Sequence, residues 1–113
     1  MRKPFTLLLA AVLAMALTAT ALAAARPVKH AKLDVDGFSF KPATLHVKKG
    51  TKVVWKWVDG SDIGHNIWVR RGPVKFHSRT MHSGTYSHVF TKAGTYFLYC
   101  RIHPWMTEKV VVK

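Results

Sequence analysis

A chain of 113 residues with 18 Lys and Arg against 5 Asp and Glu has a net charge of +13, so it suits one small domain and acidic rather than basic partners. Its single cysteine excludes an intramolecular disulfide, and the lack of helix-length 3.6-residue periodicity beyond the N-terminal stretch excludes a helical bundle.

Residues 1–25 read "MRKPFTLLLAAVLAMALTATALAAA": a basic start, an apolar run and small residues offering A-x-A sites. That layout predicts a secretory signal peptide cleaved after Ala23 or Ala25, leaving 26–113 as one domain exported to the periplasm. An uncleaved membrane anchor is the alternative, since the run from Phe5 to Ala25 is about long enough to span a bilayer. The Ala- and Thr-rich composition and the cleavage pattern favour removal, with no membrane anchor afterwards. In an oxidising compartment a lone thiol either pairs with another chain or has a task of its own.

The rest of the chain is a series of short alternating runs separated by turn residues. "KLDVDGFSF" alternates through Leu33 and Val35 towards Phe38 and Phe40. "ATLHVKKGTKVVWKWVDG" predicts two strands joined at Lys49-Gly50, with Val53, Trp55 and Trp57 on one face of the second. "HNIWVRRGP" predicts a short strand ending at Gly72-Pro73. "GTYSHVFTKAGTYFLYC" predicts two strands around Ala93-Gly94, and "EKVVVK" a closing strand. Such strands, bounded by Gly and Pro, predict an all-β sandwich or small barrel. The stretch from Pro73 to Ser83 gives no clear pattern.

The chemistry concentrates in "YCRIHPWM", where Cys100, His103 and Met106 follow one another at three-residue steps. Thiolate and thioether are soft donors and imidazole is borderline, so the trio selects copper over magnesium, calcium or manganese; zinc seldom takes a thioether. Pro104 disfavours a helical His103, so the three belong to a tight loop between strands. They make three quarters of a His2Cys site with a weak axial Met, and the fourth ligand must be a distant His. Of His30, His46, His65, His77, His82 and His88, His65 stands out, because a Gly- and Asp-rich loop runs through it into a strand. His46 and His88 sit within alternating strands and read as surface residues, and His30 as part of a frayed start. His77, His82 or His88 remain candidates for a second metal site.

With these motifs the chain resembles a cupredoxin, a type 1 blue-copper protein, of the amicyanin kind, with plastocyanin and pseudoazurin further off. "FSFKPATLHVKKGTKVVWKW" is similar to the family's opening strands, "HNI" to the segment with its first His ligand, and "FTKAGTYFLYCRIHPWM" to its closing hairpin and shortest type of ligand loop. The resemblance implies a Greek-key β-sandwich of about seven to eight strands. It also implies one copper ion cycling between Cu(I) and Cu(II), with His65, Cys100 and His103 as equatorial ligands and Met106 as the axial one. Asn66 matches the residue that holds the ligand loop near the first His. His103 would reach the surface through a docking patch of Pro104, Trp105 and Arg101. Two departures stand out. Arg101-Ile102 replaces a loop proline, which implies a looser loop, and Glu108 stands in place of a glycine, which implies an altered local turn beside Met106.

The function so implied is one-electron transfer by a monomer between redox proteins, with an acidic partner such as a cytochrome, dehydrogenase or oxidase favoured by the charge. Arg70, Arg71, Lys75 and Arg79 join Arg101 as cations able to ring the patch. A copper carrier using the same site is the alternative. A base-stacking OB-like domain also fits a basic, aromatic chain, but the leader and ligand pattern oppose nucleic acid. A Cys–His nucleophile pair three residues apart in a Pro-containing loop is poor geometry for an enzyme.

Overall fold

The computed structural model describes residues 25–113 apart from Asp59 and Ser61. Residues 1–24, on which the signal-peptide expectation falls, lie outside the described residues. The described part contains eight strands: β1 (Val28–Asp34), β2 (Ser39–Lys41), β3 (Thr44–Val47), β4 (Lys52–Val58), β5 (Trp68–Arg71), β6 (Gly84–Val89), β7 (Gly94–Tyr99) and β8 (Thr107–Val112). They form two four-stranded sheets, β2-β1-β4-β6 and β3-β8-β7-β5. The all-β sandwich expectation holds.

Alternation explains the core. Along β4, Val53, Trp55 and Trp57 are buried while Lys52 and Lys56 are exposed. Along β7 and into the following loop, Tyr96, Leu98 and Cys100 point inward; Glu108, Val110 and Val112 of β8 do the same. With the inner residues of β1 they fill the space between the sheets, each strand burying one face and wetting the other.

The connections depart from the simplest reading of the runs. The strands on either side of Lys49-Gly50 do not form a hairpin: β3 lies in one sheet beside β8 in parallel, and β4 lies in the other beside β1 in parallel. The same is true of β6 and β7 around Gly94. Gly50 makes the crossing with a φ of +92°, where a side chain would be strained, and its N–H donates to the Phe90 carbonyl at 2.7 Å. Crossing between sheets buries both apolar faces, which a hairpin within one sheet would leave half exposed.

Two histidines also differ from expectation. His30 is exposed but lies in β1, opposite Val54 of β4, so that end is not frayed. His88 is partly buried, its ring stacked on Phe76 at 3.7 Å, and loss of hydration lowers its pKa. Glu108 makes no turn. It continues β8 in register opposite Leu98 and points into the core.

β1 and β4 are parallel and end together at Asp34 and Val58. Their continuations, the β1–β2 turn and the segment leading to β5, meet the β7–β8 loop at one end of the sandwich. All the candidate ligands gather there.

Candidate metal centre

His65 sits in an irregular stretch before β5, and the stretch without a clear pattern is what holds it. The backbone N–H of His65 donates to the Met81 carbonyl at 3.0 Å and its carbonyl accepts from Met81 N–H at 2.9 Å. Two residues on, Ser78 accepts from Ile67 N–H through its hydroxyl at 2.9 Å, and donates its own N–H to the Ile67 carbonyl at 2.8 Å. The His65 ring is oriented from a third direction, since Nε2 lies 2.7 Å from the Val35 carbonyl in the β1–β2 turn. A carbonyl can only accept, so Nε2 carries the proton and Nδ1 keeps its lone pair.

That Nδ1 faces the closing loop. It lies 3.0 Å from His103 Nδ1 and 3.9 Å from Cys100 Sγ, and Cys100 Sγ lies 3.6 Å from His103 Nδ1. The three donor atoms fall within 4.8 Å of one another, and among the described residues this is the one such cluster of His, Cys, Asp or Glu. His77, His82 and His88 therefore build no second cluster of that kind. His65 and Cys100 are fully buried, Met106 is 1% exposed, and His103 is half-buried.

The loop is closed by its own backbone hydrogen bonds. Cys100 N–H donates to the Met106 carbonyl at 3.0 Å, His103 N–H to the Cys100 carbonyl at 3.2 Å, and Met106 N–H to the His103 carbonyl at 2.9 Å. Asn66 joins it to the His65 segment. Its Oδ1 accepts from Arg101 N–H at 2.7 Å, its Nδ2 donates to Thr80 Oγ1 at 3.0 Å, and its backbone N–H points at Cys100 Sγ at 3.5 Å. Asn66→Ala should leave the Arg101 N–H without its partner and cost about 1–3 kcal/mol of stability. Urea unfolding of Asn66→Ala, Thr80→Ala and the double variant measures this, and a cost for Asn66→Ala no larger than that for Thr80→Ala would contradict it.

Electrostatics keep the site ready for a cation. Burial, with His65 beside it, holds the His103 imidazole below its usual pKa, so the ring is neutral near pH 7. The donor set also has a clear preference. One sulfur and two imidazole nitrogens in a buried pocket suit zinc or copper, and a buried thioether at the loop's end favours copper.

Phe38 is a site residue that sequence reading missed. It has a φ of +51°, uncommon for a residue with a side chain. Its ring stands edge-on to both His65 and His103, with centroids 5.3 and 4.8 Å away, and lies 6.2 Å from Trp105. The Asp36-Gly37 turn just before it was the available signal; the turn is closed by Gly37 N–H donating to Asp34 Oδ1 at 2.8 Å. Trp105 is 68% exposed, so it belongs to the surface and not to the core.

The model of copper binding proteins of the plastocyanin/azurin family matches residues 28–113. The chain belongs to that family. This cupredoxin is 31% identical over 90 residues to amicyanin from Paracoccus denitrificans, a match spanning 72% of the chain and 63% of that protein, somewhat less than two thirds of its length. It is 32% identical to amicyanin-alpha from Methylorubrum extorquens, covering 87% of the chain and 86% of the relative. Among solved structures, the reduced Cu(I) form of an amicyanin variant superposes with a TM-score of 0.65 at 31% identity, over 76% of this chain and 82% of that one. A copper-containing nitrite reductase from Thermus scotoductus gives a TM-score of 0.68 at 31% identity, over 77% of this chain but 22% of the enzyme. The cofactor of this cupredoxin is copper, as the family and the donor set agree.

Proposed function

We propose that this cupredoxin is a periplasmic one-electron carrier that holds a single type 1 copper ion through His65 Nδ1, Cys100 Sγ, His103 Nδ1 and, more weakly, Met106. The observation that carries the reading is the convergence of two imidazole nitrogens and a buried thiol, with the His65 ring held by the Val35 carbonyl and Cys100 Sγ by the Asn66 N–H, independently of the metal. Copper bound by such a set supplies a centre that alternates between Cu(I) and Cu(II). The protein's part is to hold the donors still, so that little has to rearrange when an electron arrives or leaves. The Val35 carbonyl fixes His65, Asn66 fixes the loop, and Phe38 covers both rings against water.

With Met106 as the fourth donor the site would have no open position for a substrate, which favours a carrier over an enzyme. His103 is the half-buried ligand, flanked by exposed Pro104 and Trp105, so its edge is the route for electrons and Pro104, Trp105 and Arg101 form the docking patch. The partners are redox proteins with acidic surfaces, matched to the net charge of +13, and the carrier acts as a monomer.

The decisive measurement is electrochemical. The copper-loaded protein is expected to give a reversible one-electron wave and fast self-exchange. Slow, irreversible cycling together with rapid transfer of copper to a metal-free acceptor would instead identify a copper carrier.

A further inference from the structure

The outer face of the second sheet has a feature that alternation alone would not produce. β5 pairs with β7 through Trp68 with Tyr99 and Val69 with Leu98, then shifts register so that Arg71 stands opposite Phe97. The extra residue in this bulge is Arg70. Val69 is buried, Arg70 and Arg71 are both exposed, and without the bulge alternation would turn Arg71 towards the core. The bulge thus places two consecutive guanidinium groups on one face.

Each guanidinium is laid on an aromatic ring. Arg70 lies 4.2 Å from the centre of Tyr99, Arg71 lies 4.2 Å from that of Phe97, and Arg101 lies 4.5 Å from that of Trp68. Stacking uses the flat face of the group and turns its N–H edge outward, the edge that binds carboxylates in a fork; in Arg70 part of that edge is taken by the Pro104 carbonyl. Lys109 stands across from Phe97 on β8, completing a row of Arg71, Phe97 and Lys109. A groove of about 600 Å3 runs here, lined by Arg70, Arg71, Phe97, Thr107, Glu108 and Lys109 among others.

No carboxylate neutralises this row among the described residues. Asp34 ends β1 and pairs with Lys41 at 3.1 Å, Asp36 lies in the β1–β2 turn and Asp62 precedes β5; Glu108 borders the groove, but it is buried and its carboxyl group is turned inward to Trp55. The groove also touches the metal loop, because Arg70 Nη2 donates to the Pro104 carbonyl at 3.0 Å, next to His103.

We propose that this groove is a carboxylate-binding dock for an acidic segment of the redox partner, set beside the His103 edge. Describing that partner as a redox protein rests on the electron-carrier reading; the binding of carboxylates does not. Apolar contact at Trp105 and charged contact in the groove would engage one partner together, the second fixing its orientation through paired carboxylates.

A poly-glutamate peptide titrated into the reduced, copper-loaded protein at low salt tests the dock by NMR. Saturable shifts are expected at the amides of Arg71, Phe97, Thr107 and Lys109. Arg71→Glu with Lys109→Glu should weaken binding about tenfold or more while leaving the copper absorption unchanged. The same charge change on the other sheet, Lys32→Glu with Lys56→Glu, should have a much smaller effect. Arg71→Lys keeps the charge but loses the fork, and should weaken binding severalfold. Equal losses from both double variants, or shifts scattered over all the cationic surface, would reduce the effect to net charge and overturn the proposal. Binding of phosphatidylglycerol vesicles to this face without binding of the peptide would overturn it in favour of a membrane surface. The peptide has no redox group, so the outcome is independent of whether the copper cycles reversibly.

Discussion

Cys100→Ser is expected to abolish the intense visible absorption that copper draws from a thiolate, and with it the type 1 EPR signal, while the protein still folds. The thiol is fully buried, receives the Asn66 N–H at 3.5 Å, and sits within 4.8 Å of the two imidazole donors. Serine fits the same space and can accept the same N–H, so the cost in stability is modest, about 1–2 kcal/mol. Its hydroxyl is a hard and barely acidic donor, however, and cannot supply the soft anionic sulfur on which the colour and the copper preference depend. The effect is therefore all-or-none in the spectrum and small in the fold. Adding Cu(II) to both proteins and recording visible and EPR spectra, with urea unfolding as the control, measures both parts. A blue Cys100→Ser protein would rule out the ligand assignment.

Glu108 should impose the largest pH dependence on stability. Its side chain is 2% exposed, Oε1 accepts from the Trp55 indole N–H at 2.7 Å, and Oε2 has no hydrogen-bond partner. Burial pushes its pKa from 4.5 up to about 8, against the opposing effect of the Trp55 hydrogen bond. The folded protein thus holds a proton that the unfolded chain releases between these values. Stability from this group is fully present below pH 4.5 and is lost as pH rises towards 8, by about 4 kcal/mol at the upper end. His88, with its lowered pKa, acts in the opposite direction and only as pH falls through 6.5 and below. Glu108→Gln keeps an acceptor for Trp55 and cannot ionise, so it should match the parent near pH 5 and exceed it by several kcal/mol at pH 8.5. Urea midpoints at the two pH values decide the matter. Parallel profiles for parent and variant would show that Glu108 does not titrate with folding.

Much of this was legible in the residues themselves. The alternation of Val53, Trp55 and Trp57 predicted an inward face, and all three are buried. The C-x2-H-x2-M spacing placed three donors in one loop, and a Gly-rich approach to a strand distinguished His65 from the other histidines. Local pattern carried this information because side-chain direction in a strand and donor spacing in a short loop are set within a few residues.

The remainder depends on contacts between residues far apart in the chain. The stretch from Pro73 to Ser83 lacks alternation because its role is to pair with residues 65–69, as Ser78 with Ile67 and Met81 with His65 show. Glu108 read as a disturbed turn, yet the register of β8 against β7 carries it inward beneath Trp55. His88 alternates like a surface residue but is drawn against Phe76. The Asp36-Gly37 turn marks a bend before Phe38 but does not place its ring over two histidines, since that position depends on where the β1–β2 turn meets the other sheet.

By itself, then, the sequence determined the strand composition, the copper-type donor set in the closing loop and the surplus of positive charge. Only the tertiary structure decided how His65 is brought against that loop, which side the Arg70–Arg71 bulge faces, and how Glu108 is buried. The first group follows from periodicity and ligand chemistry, which act within a single segment. The second follows from contacts between strands and between sheets, which bring together groups far apart in the chain, such as His65 and Cys100, 35 residues apart.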